Sequence, residues 1–259
     1  MDSRKEGWSG SAANGNAAAP AQFASLSTHM YDRLRLLNFP LEIQQLVRAQ
    51  IQTYNPRGGI QDERPYGPSH EFKLRGYPWR AHAEDSVTSR RLMNRLLAVL
   101  FDAGWTLQVS ADVSRKQRDT DTLLFRKQLA SPQQCDWLCI AFSRGDRLRL
   151  IDAPADLISA FAGMLRGRWL QEDKGVCYSG AHEFKLNGYP WAATGMDTMH
   201  ARVLVLDMLG VMDAHGWTVY ASVDQKAQPG GDNPTGDTDT WHCRRVKGWQ
   251  PGLPAYNLG

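Results

Sequence analysis

The chain reads as a tandem duplication of a two-layer α/β sandwich of the α+β type, and three observations predict it. A decapeptide, His70-Glu71-Phe72-Lys73-Leu74-Arg75-Gly76-Tyr77-Pro78-Trp79, recurs at a spacing of 112 residues as His182 to Trp191, with Asn187 in place of Arg75. The same register continues through Asp85/Asp197, Arg90/Arg202, Gly104-Trp105-Thr106/Gly216-Trp217-Thr218, Ser110/Ser222 and Asp112/Asp224. Within each copy, short apolar runs of strand character alternate with longer stretches of helical period.

Upstream, Asp32-Arg33-Leu34-Arg35-Leu36 matches Asp146-Arg147-Leu148-Arg149-Leu150. Downstream, after a longer loop in the second copy, Asp119-Thr120-Asp121-Thr122 matches Asp237-Thr238-Asp239-Thr240. The second copy stops after Arg244-Arg245-Val246, in the turn-rich Gly248-Trp249-Gln250-Pro251-Gly252. The apolar run Trp137–Phe142 therefore opens the second copy. The units are residues 21–130 and 131–248, with 249–259 as a C-terminal tail. Residues 1–20, rich in Ser, Gly, Ala and Asn, read as a disordered tail, because they cannot bury enough apolar surface to offset their ordering entropy.

Each element has a local reason. Trp137–Phe142 is a nearly continuous apolar run, as in a strand buried on both faces. Ser143-Arg144-Gly145-Asp146 turns it into Arg147–Ile151, where Leu148 and Leu150 alternate with arginines, so the pair reads as a hairpin. Arg144-Gly145-Asp146 also spells a cell-adhesion tripeptide, and the turn reading is preferred. Pro154 and Pro40 suit a first helical turn, and Leu157, Phe161 and Leu165, like Ile43, Val47 and Ile51, follow at helical spacing. His70–Leu74 alternates, with Phe72 and Leu74 on one face and Glu71 and Lys73 on the other. A second helix spans 84–102 and 196–213, with Thr194 and Asp197 as a capping box and Gly104 and Gly216 at its C-terminal end. Trp105–Val113 and Thr120–Arg126 read as a closing strand pair. The unit is thus ββαβαββ, with strand–helix–strand crossovers implying a mixed sheet and helices on one face. The two units are expected to pack about a pseudo-two-fold axis.

Composition narrows function mainly by exclusion. Of 259 residues, 42% are hydrophobic and 22% charged, and the formal charge of +3 is too small to mark a nucleic-acid or membrane-surface protein. No apolar run reaches 18 residues. Cys135, Cys139, Cys177 and Cys243 are too few for a disulfide framework, and no second Cys/His pair completes a tetrahedral zinc site around Cys135 and Cys139. With no apolar secretory segment at the N-terminus, a cytoplasmic or nuclear setting is expected.

No nucleophile elbow, phosphate loop, metal motif or cofactor motif is found, so no catalytic residue and no cofactor is assigned. The candidate binding residues are the polar and aromatic ones shared by both copies: Glu71, Lys73, Tyr77, Trp79 and Asp112, with Glu183, Lys185, Tyr189, Trp191 and Asp224. Glu71 and Lys73 lie two apart on one strand face, and Asp112 from a neighbouring strand would complete a charged cluster. Tyr-Pro-Trp forms a rigid corner suited to displaying aromatic rings. The leading reading is a non-enzymatic module that binds a protein or a small polar ligand. A second is an enzyme using Glu71/Lys73/Asp112 and their counterparts as acid–base groups in two pockets. A third is a weak nucleic-acid contact through Arg90-Arg91-Arg95 and Arg115-Lys116-Arg118.

Overall fold

The computed structural model describes residues 21–55, 57–111, 119–224 and 239–255. The N-terminal tail, Asp112 and the basic run 115–118 therefore lie outside the described residues. The first copy supplies β1 (Phe23–His29), β2 (Arg33–Leu37), α1 (Leu41–Tyr54), β3 (Ile60–Tyr66), β4 (Ser69–Leu74), α2 (Ala83–Asp102), β5 (Trp105–Ala111) and β6 (Asp119–Lys127). The second repeats the order as β7 (Cys135–Ser143), β8 (Arg147–Ile151), α3 (Ala155–Leu165), β9 (Leu170–Val176), β10 (Ala181–Leu186), α4 (Asp197–Ala214), β11 (Thr218–Val223) and β12 (Thr240–Val246). Two six-stranded sheets result, in the orders β3-β4-β2-β1-β6-β5 and β9-β10-β8-β7-β12-β11. The fold is a duplicated α+β sandwich, each sheet carrying its own two helices on one face.

The unit is ββαββαββ rather than ββαβαββ, and every strand pairing among the described residues is antiparallel rather than mixed. The extra strands β3 and β9 account for both differences. Each follows the first helix, forms a hairpin with the next strand, and so reverses the chain before that strand joins the sheet beside β2 or β8. Their sequences, Ile60-Gln61-Asp62-Glu63-Arg64-Pro65-Tyr66 and Leu170-Gln171-Glu172-Asp173-Lys174-Gly175-Val176, have no apolar alternation because both lie at a sheet edge. Charged residues and proline are what edge strands use to avoid pairing with other chains.

Alternation elsewhere sets the two faces of each sheet. Leu26, Leu34, Leu36, Phe72, Leu74 and Phe125 point from the first sheet into a core shared with Ile43, Val47 and Ile51 of α1 and Leu92, Leu96 and Leu100 of α2. Leu138, Ile140, Leu148, Leu150, Phe184 and Leu186 do the same toward Leu157, Phe161, Leu204 and Met208. The turn at Arg144-Gly145-Asp146 connects β7 to β8, and the Trp191 N–H donates to its Gly145 carbonyl at 3.1 Å. Gly216 closes α4 with φ of 74° and sits under the Trp249 indole, which a Cβ would approach to 2.3 Å. The Thr194/Asp197 capping box is not formed: α4 starts after Met196 without a side-chain cap, and the Asp197 N–H donates to the Thr194 carbonyl.

The units do not pack about a two-fold axis. Instead, α2 of the first unit lies against the second sheet on the face that α3 and α4 leave open. Val87, on the outer side of α2, is fully buried among Cys139, Ala141, Ile151 and Ala181. The corresponding outer side of α4 is exposed at Met199, Val203 and Leu206. The layers therefore run α3/α4, second sheet, α1/α2, first sheet. This is a head-to-tail stack, which a two-fold would forbid.

At the Tyr-Pro-Trp corner the two rings diverge. Trp79 is fully buried and its indole N–H donates to the Arg33 carbonyl at 2.8 Å, whereas Tyr77 is 65% exposed. Trp79→Ala should lower the unfolding free energy by about 3–5 kcal/mol, and Tyr77→Ala by less than about 1 kcal/mol, in urea titrations.

Candidate functional site

The open face of each sheet is built from the residues that alternate with the core. Across the first sheet the register aligns Ser69, Leu37, Ser25, Leu124 and Val109 in one row. The matching row of the second sheet is Ala181, Ile151, Cys139, His242 and Ala221. The two rows are equivalent positions of the repeat, since Asn38 and Asp152, which follow Leu37 and Ile151, share the left-handed backbone with φ of 63° and 59°. The first row is uncovered among the described residues. The second is covered by α2.

That covered face shows what such a surface does. Arg90 Nε donates to Thr240 Oγ1 at 2.9 Å, and its Nη1 donates to the Ser86 carbonyl one turn back. His242 Nδ1 lies 3.2 Å from Asn94 Oδ1 and 3.6 Å from Cys139 Sγ. Arg91 clasps Asp152 at 2.8 Å, with Arg95 at 3.7 Å. Burial pushes the Arg90 guanidinium down to about 10, with the charge of Arg149 adding to the shift. Burial, with Arg90 behind it, pushes His242 down to about 3, so the ring is neutral. The basic run Arg90-Arg91-Arg95 is thus engaged within the chain, against the second sheet.

On the first sheet, Glu71 is 1% exposed and its partners are arginines. Arg33 Nη1 donates at 3.0 Å, Arg35 Nε at 2.8 Å and Arg64 Nη2 approaches to 2.9 Å. Burial alone would raise this carboxyl, but Arg35, Arg64 and Arg33 outweigh it and hold the group below the usual carboxylate range. Glu183 repeats the clamp with Arg149 at 2.6 Å and Arg147 at 3.6 Å. Lys73 and Lys185 share the face but lie across from Asp62 and Glu172 respectively. The anticipated Glu–Lys–Asp cluster is therefore a Glu–Arg ladder as far as it is described, with Asp112 outside the described residues and Asp224 half-buried just after β11. Both copies hold Arg-x-Arg two residues apart on the strand that pairs with the glutamate; that repeated spacing was the signal for the ladder.

The aromatic candidates separate by residue type, in the same way in both copies. Trp79 belongs to the core and is withdrawn from any display, while Trp191 stacks edge-on against Phe142 and donates to the Arg147 carbonyl. Tyr189 is 69% exposed and borders a pocket of about 470 Å³ with Trp169, Asn187, Pro190, Asp197 and His200. All four cysteines are free, and no three His, Cys, Asp or Glu side chains among the described residues are grouped to hold a metal. No helix among them is long and apolar enough to cross a membrane.

Fold and faces together define a duplicated α+β protein in which the helix layer of one unit docks on the sheet face of the next. One domain-family model matches the chain twice, over residues 22–126 and 136–244, and the chain belongs to that family. Neither curated proteins nor solved structures give a match.

The buried His242 makes stability depend on pH. An unfolded imidazole titrates near 6.5 and this one near 3, so its contribution is complete above pH 6.5 and lost as the pH falls toward 3. Asn94→Leu/His242→Leu removes the titrating group and leaves an apolar pair in its place. Between pH 7 and pH 4, urea titrations should show the wild type losing on the order of 3 kcal/mol more than this double variant.

Proposed function

We propose that the protein is a non-enzymatic interaction module that binds a protein partner through the open face of its first sheet. One observation carries this reading: the equivalent face of the second sheet already holds a helix, seated on the same row of positions. The face that remains open, with Leu37, Leu124 and Val109 in line, is built on the same strand register and has a similar mixture of small and apolar residues.

The glutamates support binding over acid–base chemistry. The Glu71 carboxyl, held below the usual carboxylate range by three arginines, stays ionised near neutral pH and has little capacity to act as a general acid. The arginines, in turn, face Glu71 and leave less basic surface for phosphate, which favours a protein partner over nucleic acid. Four free thiols fit a cytoplasmic or nuclear setting.

Leu124→Glu puts a charge in the centre of the open row without touching the core side of β6. Affinity capture with wild type and this variant as bait, at matched melting temperature, should lose the specifically retained proteins. An unchanged set of retained proteins would overturn the open-face assignment.

A further inference from the structure

The far end of the stack carries a helix that no other described residue covers on its outer side. On α4, Met199, Val203 and Leu206 are 60%, 46% and 66% exposed, forming an apolar stripe at i, i+4 and i+7 beside Leu209. In α2 the same helix positions are Val87, Arg91 and Asn94, and there the second sheet covers them. Among the described residues, one molecule thus ends in an open sheet face on one side and an open helix face on the other. They are the two halves of a contact it already makes once.

We propose that the open face of the first sheet takes α4 of a second copy of this chain, so that copies stack head-to-tail by repeating the internal contact. This rests on the open-face reading and names its partner. The residue pairs carry the proposal. Transferring the internal contact by repeat position sets Arg202 against Thr122, the pair that Arg90 and Thr240 make internally. Arg202 already makes the same contact one turn back along its helix, its Nη1 donating to the Thr198 carbonyl as that of Arg90 does to Ser86.

Where the residues differ, they differ on both sides together. The internal Asn94–His242 hydrogen bond becomes Leu206 against Leu124, so a polar pair is exchanged for an apolar one with neither half left unmatched. Arg91 and Arg95 on Asp152 become Val203 and Asp207 on Asn38, so the sheet loses its acid where the helix loses its bases. A helix surface with no such partner has no reason to change in step with a sheet face at the opposite end of the molecule. Met199 takes the place of Val87 over Ser25, Ser27, Leu37 and Ser69. Because the two surfaces are different, the contact is heterologous, and it extends into arrays unless a rotation closes a ring.

Sedimentation velocity of the full chain over a wide concentration range tests this. The wild type should show mass growing with concentration beyond two chains. Leu206→Glu on the helix and Leu124→Glu on the sheet should each weaken self-association at least about tenfold. Mixed in equal amounts they should form a complex of two chains and stop there, since each keeps one competent surface, and only folded variants restore it. Val203→Lys and Val109→Lys, at exposed positions on the same two surfaces, should behave alike. A wild type that is monomeric throughout overturns the proposal; if Leu124→Glu still loses captured proteins, the open-face reading survives without it. A Leu124→Glu variant that still dimerises while Leu206→Glu does not would show α4 pairing with α4, and would overturn it as well. Self-association unaffected by Leu124→Glu, with unchanged capture, removes both readings.

Discussion

Helix α2 is the constraint on which the molecule depends, because it serves two sheets at once. Leu92, Leu96 and Leu100 fill the core of the first unit, while Val87, Arg90 and Asn94 fill the face of the second. A helix buried on both sides can carry polar groups only if each is matched. Arg90 with Thr240 and Arg91 with Asp152 meet that requirement across the two units, and Asn94 with His242 meets it in part, since Asn94 Nδ2 and His242 Nε2 are buried without a partner. The units are consequently not independent beads. Unfolding the first unit strips the second sheet of its cover and exposes Cys139, Ala141, Ile151 and Ala181 together, which couples the two halves in one cooperative structure.

The duplication, the helices and most strands were legible in the sequence because they follow from short-range patterns. Period-2 alternation in Leu34-Arg35-Leu36 and His70–Leu74, glycine after the second helix and apolar spacing along both helices each need only a few neighbouring residues. The strands β3 and β9 were not legible, since a strand at a sheet edge with both faces wet has no alternation to read. Missing them also changed the sheet from antiparallel to mixed, because one unrecognised hairpin reverses the direction in which the next strand enters. Element count and strand polarity failed for one reason.

The candidate site was legible only in part, for a different reason. Glu71 and Lys73 were placed on the right face, but which strand lies beside them is a tertiary fact, and Arg33 and Arg35 outcompete Lys73 through direct hydrogen bonds. Arg90, Arg91 and Arg95 looked like a solvated basic helix face. Their burial depends on Asp152 and Thr240, at least 57 residues away along the chain, and no local pattern announces that pairing. The symmetry of the stack was misjudged on the same ground: similar sequences in two copies suggest equivalent environments, yet a head-to-tail arrangement gives α2 a cover that α4 lacks.

That inequivalence accounts for the chemical difference between the helices. The internal contact forms between parts of one chain, so its halves meet at a high effective concentration and tolerate desolvated polar pairs such as Asn94–His242. A contact between separate chains must also offset lost translational and rotational freedom. Apolar surface suits that task, because its burial is favourable without demanding the geometry of a hydrogen bond. Leu206 and Val203 on α4, with Leu124 in the open row of the first sheet, are the substitutions that the proposed shift from an intramolecular to an intermolecular contact would require. A helix destined only for solvent would have replaced Asn94 and Arg91 with residues that water tolerates better than leucine and valine.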